Sequence, residues 1–488
     1  MIFKKKEPPK AKPRRFRKYF WGAVIVFHIG GFMASIHAVV SVRTPQGAIA
    51  WAVSLNTFPY VSLPAYLVFG RTKFEGYVAA RRDATEGTRY LVKAVEDDLK
   101  EFLLPEQEMV ANLRALEGLA KLPLTERNNV ELLIDGEEAF ASMFKAIEEA
   151  QDYILVQFYI VRDDQIGTEL AELLAKKARE GLKVYFLYDE VGSVHLSAAY
   201  SRNLREAGVE VSDFNTRKGL RNRFQLNFRN HRKTIVTDGR VGFVGGLNVG
   251  DEYLGRDEAV GPWRDTHARL AGPSVLALQL AFVEDWRWAT GNLPEIDWEP
   301  VPAEVGDTAV LIIPSGPADE METAELAFIH AINSAEERVW IATPYFVPEH
   351  GVVSALRLAC LRGVEVKVLL PDESDGFLVD RAAWSHFREL EGSGVRFYRW
   401  GPGFLHEKVM LVDRSAAVIG TANFDNRSFR LNFEIAACVI GEEFADKVAN
   451  MLETDFANAH EMTIAELEEK GAFFDLCVKV SRLFSPIL

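Results

Sequence analysis

Two stretches of the chain answer each other. His231 to Asn248 reads HRKTIVTDGRVGFVGGLN, and His406 to Asn423 reads HEKVMLVDRSAAVIGTAN. Aligned on the histidines, the landmarks His231/His406, Lys233/Lys408, Asp238/Asp413 and Asn248/Asn423 fall at equal offsets. Between Lys and Asp, and again between Asp and the turn, the residues are apolar and strand-like. A chain carrying such a pair must hold two similar halves. On a strand, positions i and i+2 face one side, so each histidine and its lysine point into the same space.

The rest of the chain repeats around the motifs. YILVQFYIV (153–161), LKVYFLYD (182–189) and the end of LREAGVEVSDF (204–214) read as strands with helices between them. RVWIATPYFV (338–347), VEVKVLLPDESD (364–375) and LEGSGVRFYRW repeat that order in the second half. Helices between buried strands predict crossover units on a mainly parallel or mixed sheet, one sheet per half, each half an α/β/α unit. A pseudo-twofold arrangement then brings both motifs to one cleft.

Two histidines and two lysines without a nearby cysteine or acidic cluster suit an oxyanion, above all a phosphate, and disfavour a metal. Histidine serves both as nucleophile and as proton donor near neutral pH. One imidazole attacks phosphorus and the other protonates the leaving alkoxide. Lys233, Lys408, Asn248 and Asn423 stabilise developing charge. A nucleophilic imidazole needs an acceptor on its far nitrogen, and Glu252 and Glu434, four and eleven residues after their asparagines, are the candidates. Asp238 and Asp413 belong to the catalytic motif, with a structural role at the following turn. His267 reads as a packing residue.

The amino-terminal region points to lipid. Residues 1–20 carry nine Lys or Arg and one Glu, a basic cytoplasmic tail. Trp21 to Val42 is free of Asp, Glu, Lys and Arg, and as a helix would rise about 33 Å, enough for a hydrocarbon core of about 30 Å. A second such stretch runs from Gln46 to Gly70, with Asn56, Pro59 and Pro64 predicting a kinked or re-entrant span. Residues 21–70 therefore read as a two-span membrane hairpin. Basic residues before the first span, and Arg71, Lys73, Arg81 and Arg82 after the second, place both the tail and the large body on the cytoplasmic side. Arg81, Arg82 and Lys93 are candidates for contact with acidic headgroups. Residues 71–135 read as a helical connector, 136–300 as the first domain and 301–488 as the second. A formal charge of -14 argues against a nucleic-acid partner, and three scattered cysteines against disulfides or zinc.

HRKTIVTD…GGLN and HEKVMLVD…GTAN resemble the paired H-x-K-x4-D signatures of the phospholipase D superfamily. Further stretches, including WRDTHARLAGPSV, GTANFDNRSFRLNFE and SRLFSPIL, are similar to bacterial cardiolipin synthases. The resemblance implies two phospholipase D-like halves behind a transmembrane hairpin in the bacterial inner membrane, multi-pass, with no cofactor. It implies phosphatidyl transfer between two phosphatidylglycerol molecules, giving cardiolipin and glycerol through a phosphohistidine. His231 then resembles the nucleophile and His406 the general acid/base. Lys233, Lys408, Asn248 and Asn423 resemble the phosphate-binding set, with Asp238 and Asp413 the motif aspartates. Phosphatidylglycerol and anionic lipids are the expected partners, and a homo-oligomer is allowed. The alternative is a phospholipase D that hydrolyses a glycerophospholipid to phosphatidic acid. Where the family commonly has a small residue this chain has Glu407, expected to point away from the pocket. GTAN in place of GGLN suggests that the halves approach phosphate differently.

Overall fold

The computed structural model describes residues 14–70, 73–74, 76–78, 97–105, 111–215, 227–258 and 260–488. The basic tail up to residue 13, and Arg71, Arg81, Arg82 and Lys93, lie outside them. The chain divides into two compact units, the first built on the amino-terminal helices and the second holding both halves of the body.

In the first unit, α1 (Arg14–Ser41) runs unbroken for 28 residues. Its stretch Arg17–Ser41 is, among the described residues, the one helix long and apolar enough to cross a membrane. The second apolar stretch forms two helices, α2 (Pro45–Thr57) and α3 (Pro59–Phe69), rather than a second continuous span. The break has a local cause. Pro59 lacks an N–H and disfavours helical backbone at the residue before it, and Phe58 sits at φ -132°, ψ 56°. Pro64, by contrast, is held inside α3. Gly31 lets α1 and α2 close up, since a Cβ there would meet the Leu55 carbonyl oxygen at 2.3 Å. His37 Nδ1 lies 2.7 Å from the Tyr66 hydroxyl, joining α1 to α3.

The second unit is built on a long mixed sheet. The first half supplies β1 (Thr125–Ile134), β2 (Tyr153–Phe158), β3 (Lys183–Asp189), β4 (Glu210–Phe214), β5 (Thr234–Thr237), β6 (Val241–Gly245) and β7 (Thr266–Ala271). The second supplies β8 (Thr308–Ser315), β9 (Arg338–Ala342), β10 (Glu365–Pro371), β11 (Arg396–Trp400), β12 (Val409–Val412), β13 (Ala416–Gly420) and β14 (Asn432–Ile440). Across the sheet they run β4-β3-β2-β5-β6-β7-β1-β8-β14-β13-β12-β9-β10-β11, with Ala459–Glu461 added at the far edge. The order is a palindrome, each strand of the first half matching the one seven numbers later. The expected pair of separate sheets is thus one hydrogen-bonded series, joined where β1 meets β8 antiparallel. The junction is irregular between Thr125 and Asn128, and Asn128 patches it by donating to the carbonyls of Thr125 (2.8 Å) and Thr308 (3.1 Å).

Neither half is mainly parallel. Among neighbours in this series, β2-β3-β4 and β9-β10-β11 run parallel, and the inner strands are antiparallel to one another. The crossover helices account for the parallel triplets. Gln165–Arg179, between β2 and β3, starts on Asp164, whose side chain accepts from Gly167 N at 3.1 Å. It buries Ile166, Leu170 and Leu174 along one stripe, each worth about 2 kcal/mol against exposure. Every residue of β2 is buried, as expected of a strand covered on both faces. The first half begins at β1, eleven residues before the expected boundary at 136, because Asn129–Ile134 pairs with β7 in the sheet. The stretch assigned to a helical connector therefore ends as a strand.

Candidate active site

Each histidine stands just before the matching strand of its half, His231 before β5 and His406 before β12, and each is held by the other half. The His231 N–H donates to the Phe433 carbonyl at 2.9 Å, and the His406 N–H to the Arg264 carbonyl at 2.8 Å. The residue after each of those carbonyls is a carboxylate. His231 Nδ1 lies 2.9 Å from Glu434 Oε2, and His406 Nδ1 lies 2.8 Å from Asp265 Oδ2. The pairs are thus exchanged across the pseudo-twofold, and in each imidazole only Nε2 is left for chemistry. Glu434 and Asp265 are completely buried.

The lysines share the same space. Lys233 Nζ donates to the His231 carbonyl at 2.7 Å and Lys408 Nζ to the His406 carbonyl at 2.5 Å. Lys408 is close enough to disfavour charge on Lys233. Burial pulls Lys408 down to about 8, against the pull of Asp265 and Glu434. Lys233 is also held well below the ordinary lysine value, chiefly by burial. Burial, opposed by Glu434 and aided by Lys233, lowers His231 to about 4. His406 is lowered as well, by burial and then by Lys408 and Lys233. The site therefore holds two neutral imidazoles beside the two buried lysines.

Glu434, one of the two expected orienting residues, is the carboxylate at His231. Thr421 Oγ1 donates to it at 2.5 Å and Asn432 Nδ2 at 3.1 Å; despite burial, it is held below the usual carboxylate value by His231, then Lys233 and Thr421. Glu252 does not reach a histidine; its Oε1 accepts from Arg162 Nε at 2.8 Å. The carboxylate at the second histidine is Asp265, in the WRDTH stretch. The motif turns also divide here. A Cβ on Gly246 would meet Asp265 Oδ1 at 2.0 Å, so only glycine leaves room for that carboxylate. At the matching position Thr421 instead bonds Glu434. The contrast between GGLN and GTAN thus lies in how each turn meets its carboxylate.

Asp238 and Asp413 are away from the histidines, at the opposite ends of β5 and β12, about 13 Å along a four-residue strand. Asp238 accepts from the backbone N–H groups of Gln151, Asp152 and Tyr153 at 2.8–2.9 Å. Asp413 does the same for Glu336, Glu337 and Arg338 at 3.0, 2.7 and 2.9 Å. Each sits at positive φ, 53° and 54°, and ties the start of β2 or β9 to the turn. Their grouping with the catalytic residues gives way to a structural role. Asn248 and Asn423 are buried beside the site. Asn248 accepts from Ile160 N at 3.0 Å and donates to Tyr253 at 3.1 Å, whereas Asn423 Nδ2 reaches Asp425 at 3.3 Å. Glu407 points away, into a buried cluster with Arg264 (2.9 Å) and Thr266 (2.6 Å). Its counterpart Arg232 pairs with buried Asp285 at 2.9 Å. His267 packs in the core, its Nδ1 3.4 Å from Leu247 N.

The surroundings of the two histidines differ. Tyr159 meets the His231 ring edge-on at 4.9 Å. His406 lies among Trp263 and Phe404, with centroids at 5.2 and 6.1 Å. Asp265, Tyr159 and Trp263 were not among the expected site residues.

Residues 143–261 and 328–456 match the cardiolipin synthase, PLD-like domain family, one match in each half. The chain belongs to the cardiolipin synthase family. Within the family it is similar to cardiolipin synthase A of Pseudomonas putida (strain W619), 48% identical over 479 residues that cover 96% of this chain and 99% of the relative. It is likewise 47% identical over 488 residues to cardiolipin synthase A of Pseudomonas aeruginosa (strain LESB58), covering 98% of this chain and 99% of that one. Among solved structures, phosphatidylserine synthase of Haemophilus influenzae Rd KW20 shares the fold at 16% identity. Its TM-score is 0.57, covering 77% of this chain and all of that one. The two matched segments of this cardiolipin synthase family member contain β2–β6 and β9–β14, and with them both histidines.

Proposed function

We propose that the protein is a phosphatidyltransferase that makes cardiolipin from two molecules of phosphatidylglycerol, releasing glycerol. The observation that carries the mechanism is the exchanged pair of histidine–carboxylate contacts. With Nδ1 directed to Glu434, His231 presents Nε2 to phosphorus. The new N–P bond forms as the bond from phosphorus to the glycerol headgroup oxygen breaks. His406, with Nδ1 directed to Asp265, gives its Nε2 proton to that leaving oxygen. In the second half-reaction the headgroup hydroxyl of another phosphatidylglycerol gives its proton to His406 and attacks phosphorus, and the N–P bond breaks. Lys233 and Lys408 offset the charge that builds on the phosphoryl oxygens, with Asn248 and Asn423 walling the same hollow. Burial, with Lys408 and Lys233 nearby, disfavours the imidazolium of His406 in the empty site, and the anionic phosphate of a bound substrate favours it. No cofactor enters the reaction.

Purified His231→Ala and His406→Ala proteins are expected to form no cardiolipin from phosphatidylglycerol in liposomes. Wild-type turnover by either would refute the two-histidine scheme. For the wild type, cardiolipin with released glycerol is expected, and phosphatidic acid as sole product would assign a hydrolase.

The body works at the cytoplasmic face of a bacterial inner membrane. α1 crosses the bilayer, and α2 and α3, with about 36 Å of combined rise, return the chain to its starting side. The apolar exposure of α1 and the basic flanks of both segments support this course. Arg43→Cys, in the turn between them, should then react with an impermeant thiol reagent only from outside the cell membrane. Labelling from the cytoplasmic side would sink the two-pass topology.

A further inference from the structure

The carboxyl-terminal stretch has an apolar surface that the catalytic scheme does not use. The helix Gly471–Ser481 runs on into a short turn, Arg482–Ile487. Its inner side packs on the body: Phe474 meets Trp384 at 5.8 Å, and Val478 and Ser481 are buried. Its outer side carries Phe473, Leu476, Val480, Leu483 and Phe484, which are 79%, 56%, 45%, 77% and 40% exposed. Steps of three and four residues place them on one outward stripe. A helix on a water-facing surface is polar on that side; here the charged residues Asp475 and Lys479, paired at 2.7 Å, form a flank between two apolar sides. Phe377, 61% exposed, stands beside the same helix, where the Arg381 guanidinium lies over both its ring (4.8 Å) and that of the inward-facing Phe474 (4.3 Å).

Both ends of this patch are fastened to the wall of the site. The Ser485 carbonyl accepts from Asn426 Nδ2 at 2.9 Å, and the Leu488 carbonyl from Arg427 N at 2.9 Å. Those two residues follow Asn423 by three and four positions. At the other end Asp375, two residues before Phe377, accepts from the Tyr345 hydroxyl at 2.6 Å, and its charge is felt at Lys408.

We propose that the Phe473–Phe484 stripe, with Phe377, lies in the interface of the lipid bilayer and sets the mouth of the active site against it. The proposal rests on the lipid-substrate reading above. A second copy of the chain is the other occupant that a stripe of this spacing fits. Continuity with the wall of a site for two lipids favours the bilayer, as does the membrane-crossing helix α1 on the same chain.

The test uses the full-length protein in phosphatidylglycerol-containing vesicles. An environment-sensitive fluorophore is placed on Phe473→Cys or Leu483→Cys, with Cys360, Cys438 and Cys477 replaced by alanine. Bilayer docking predicts blue-shifted emission, quenching by spin-labelled lipid and protection from aqueous iodide. Free iodide quenching, or protection that comes with cross-linking between copies and no lipid quenching, would overturn it. A second measurement keeps the native cysteines. Phe473→Asp/Leu483→Asp should lose about tenfold or more of its turnover on vesicles, while keeping turnover on short-chain phosphatidylglycerol below its micelle concentration. Equal loss on both substrates would refute docking. The fluorescence arm needs no catalysis, so a failure of the cardiolipin assignment would show in the products and leave the docking result standing.

Discussion

At the residue scale the site depends on two carboxylates that no chemical step touches. Each holds an imidazole through Nδ1 and leaves Nε2 free, and each also favours charge on the buried lysines. Glu434→Gln and Asp265→Asn should each lower kcat about 100-fold, measured as cardiolipin formed per enzyme, with a smaller change in KM. Gly246→Ala is expected to behave like Asp265→Asn, because its methyl group takes the place of Oδ1. Glu252→Gln, whose residue meets Arg162 instead, should leave kcat within about threefold. The pH profile has a computable sign. His231 must be neutral to attack, and its lowered value of about 4 keeps it so across the neutral range, so the acid limb of kcat/KM should fall near pH 4 rather than near 6.5. Lys408 must be charged, so activity should decline as pH rises through about 8. A histidine-like acid limb near 6.5 would contradict the burial that the structure gives His231.

At the element scale the motif aspartates hold strand starts. Each gathers three backbone N–H groups at a left-handed turn, a conformation aspartate tolerates better than most residues. Asp238→Ala or Asp413→Ala should cost about 3 kcal/mol of stability, seen as a lowered Tm, with kcat of the folded fraction nearly unchanged. A loss of kcat without a loss of Tm would return them to the chemistry. This is also the scale at which the sequence was most and least readable. The repeat exposed His231, Lys233, His406 and Lys408 because a strand converts i, i+2 spacing directly into a shared face. Glu434 was within reach of the same logic. Asp265 was not, because it follows Asn248 by seventeen residues while Glu434 follows Asn423 by eleven, so equal spacing could not pair them. Glu252 drew notice through nearness in sequence, although the carboxylate each histidine needs comes from the opposite half. The parallel outer strands were legible from their helices. The antiparallel inner ones were not, since β5 and β6 are four and five residues long and joined by a tight turn. Likewise Pro59 and Pro64 look alike in the sequence, yet only the first breaks a helix.

At the scale of the whole molecule, the palindromic sheet and the exchanged carboxylates are one fact seen twice. A lone half would carry a histidine with no anion behind it, and an anion with no histidine in front. Two identical copies related by a twofold axis would complete both pairs, since a self-complementary interface satisfies each contact twice. In the fused chain that obligation to match is lifted. Gly246 can serve a short carboxylate while Thr421 serves a long one, and one imidazole can keep a tyrosine neighbour while the other keeps tryptophan and phenylalanine. The junction at Asn128 is therefore where a symmetric pairing is held within a single chain, leaving each ring free to keep different neighbours.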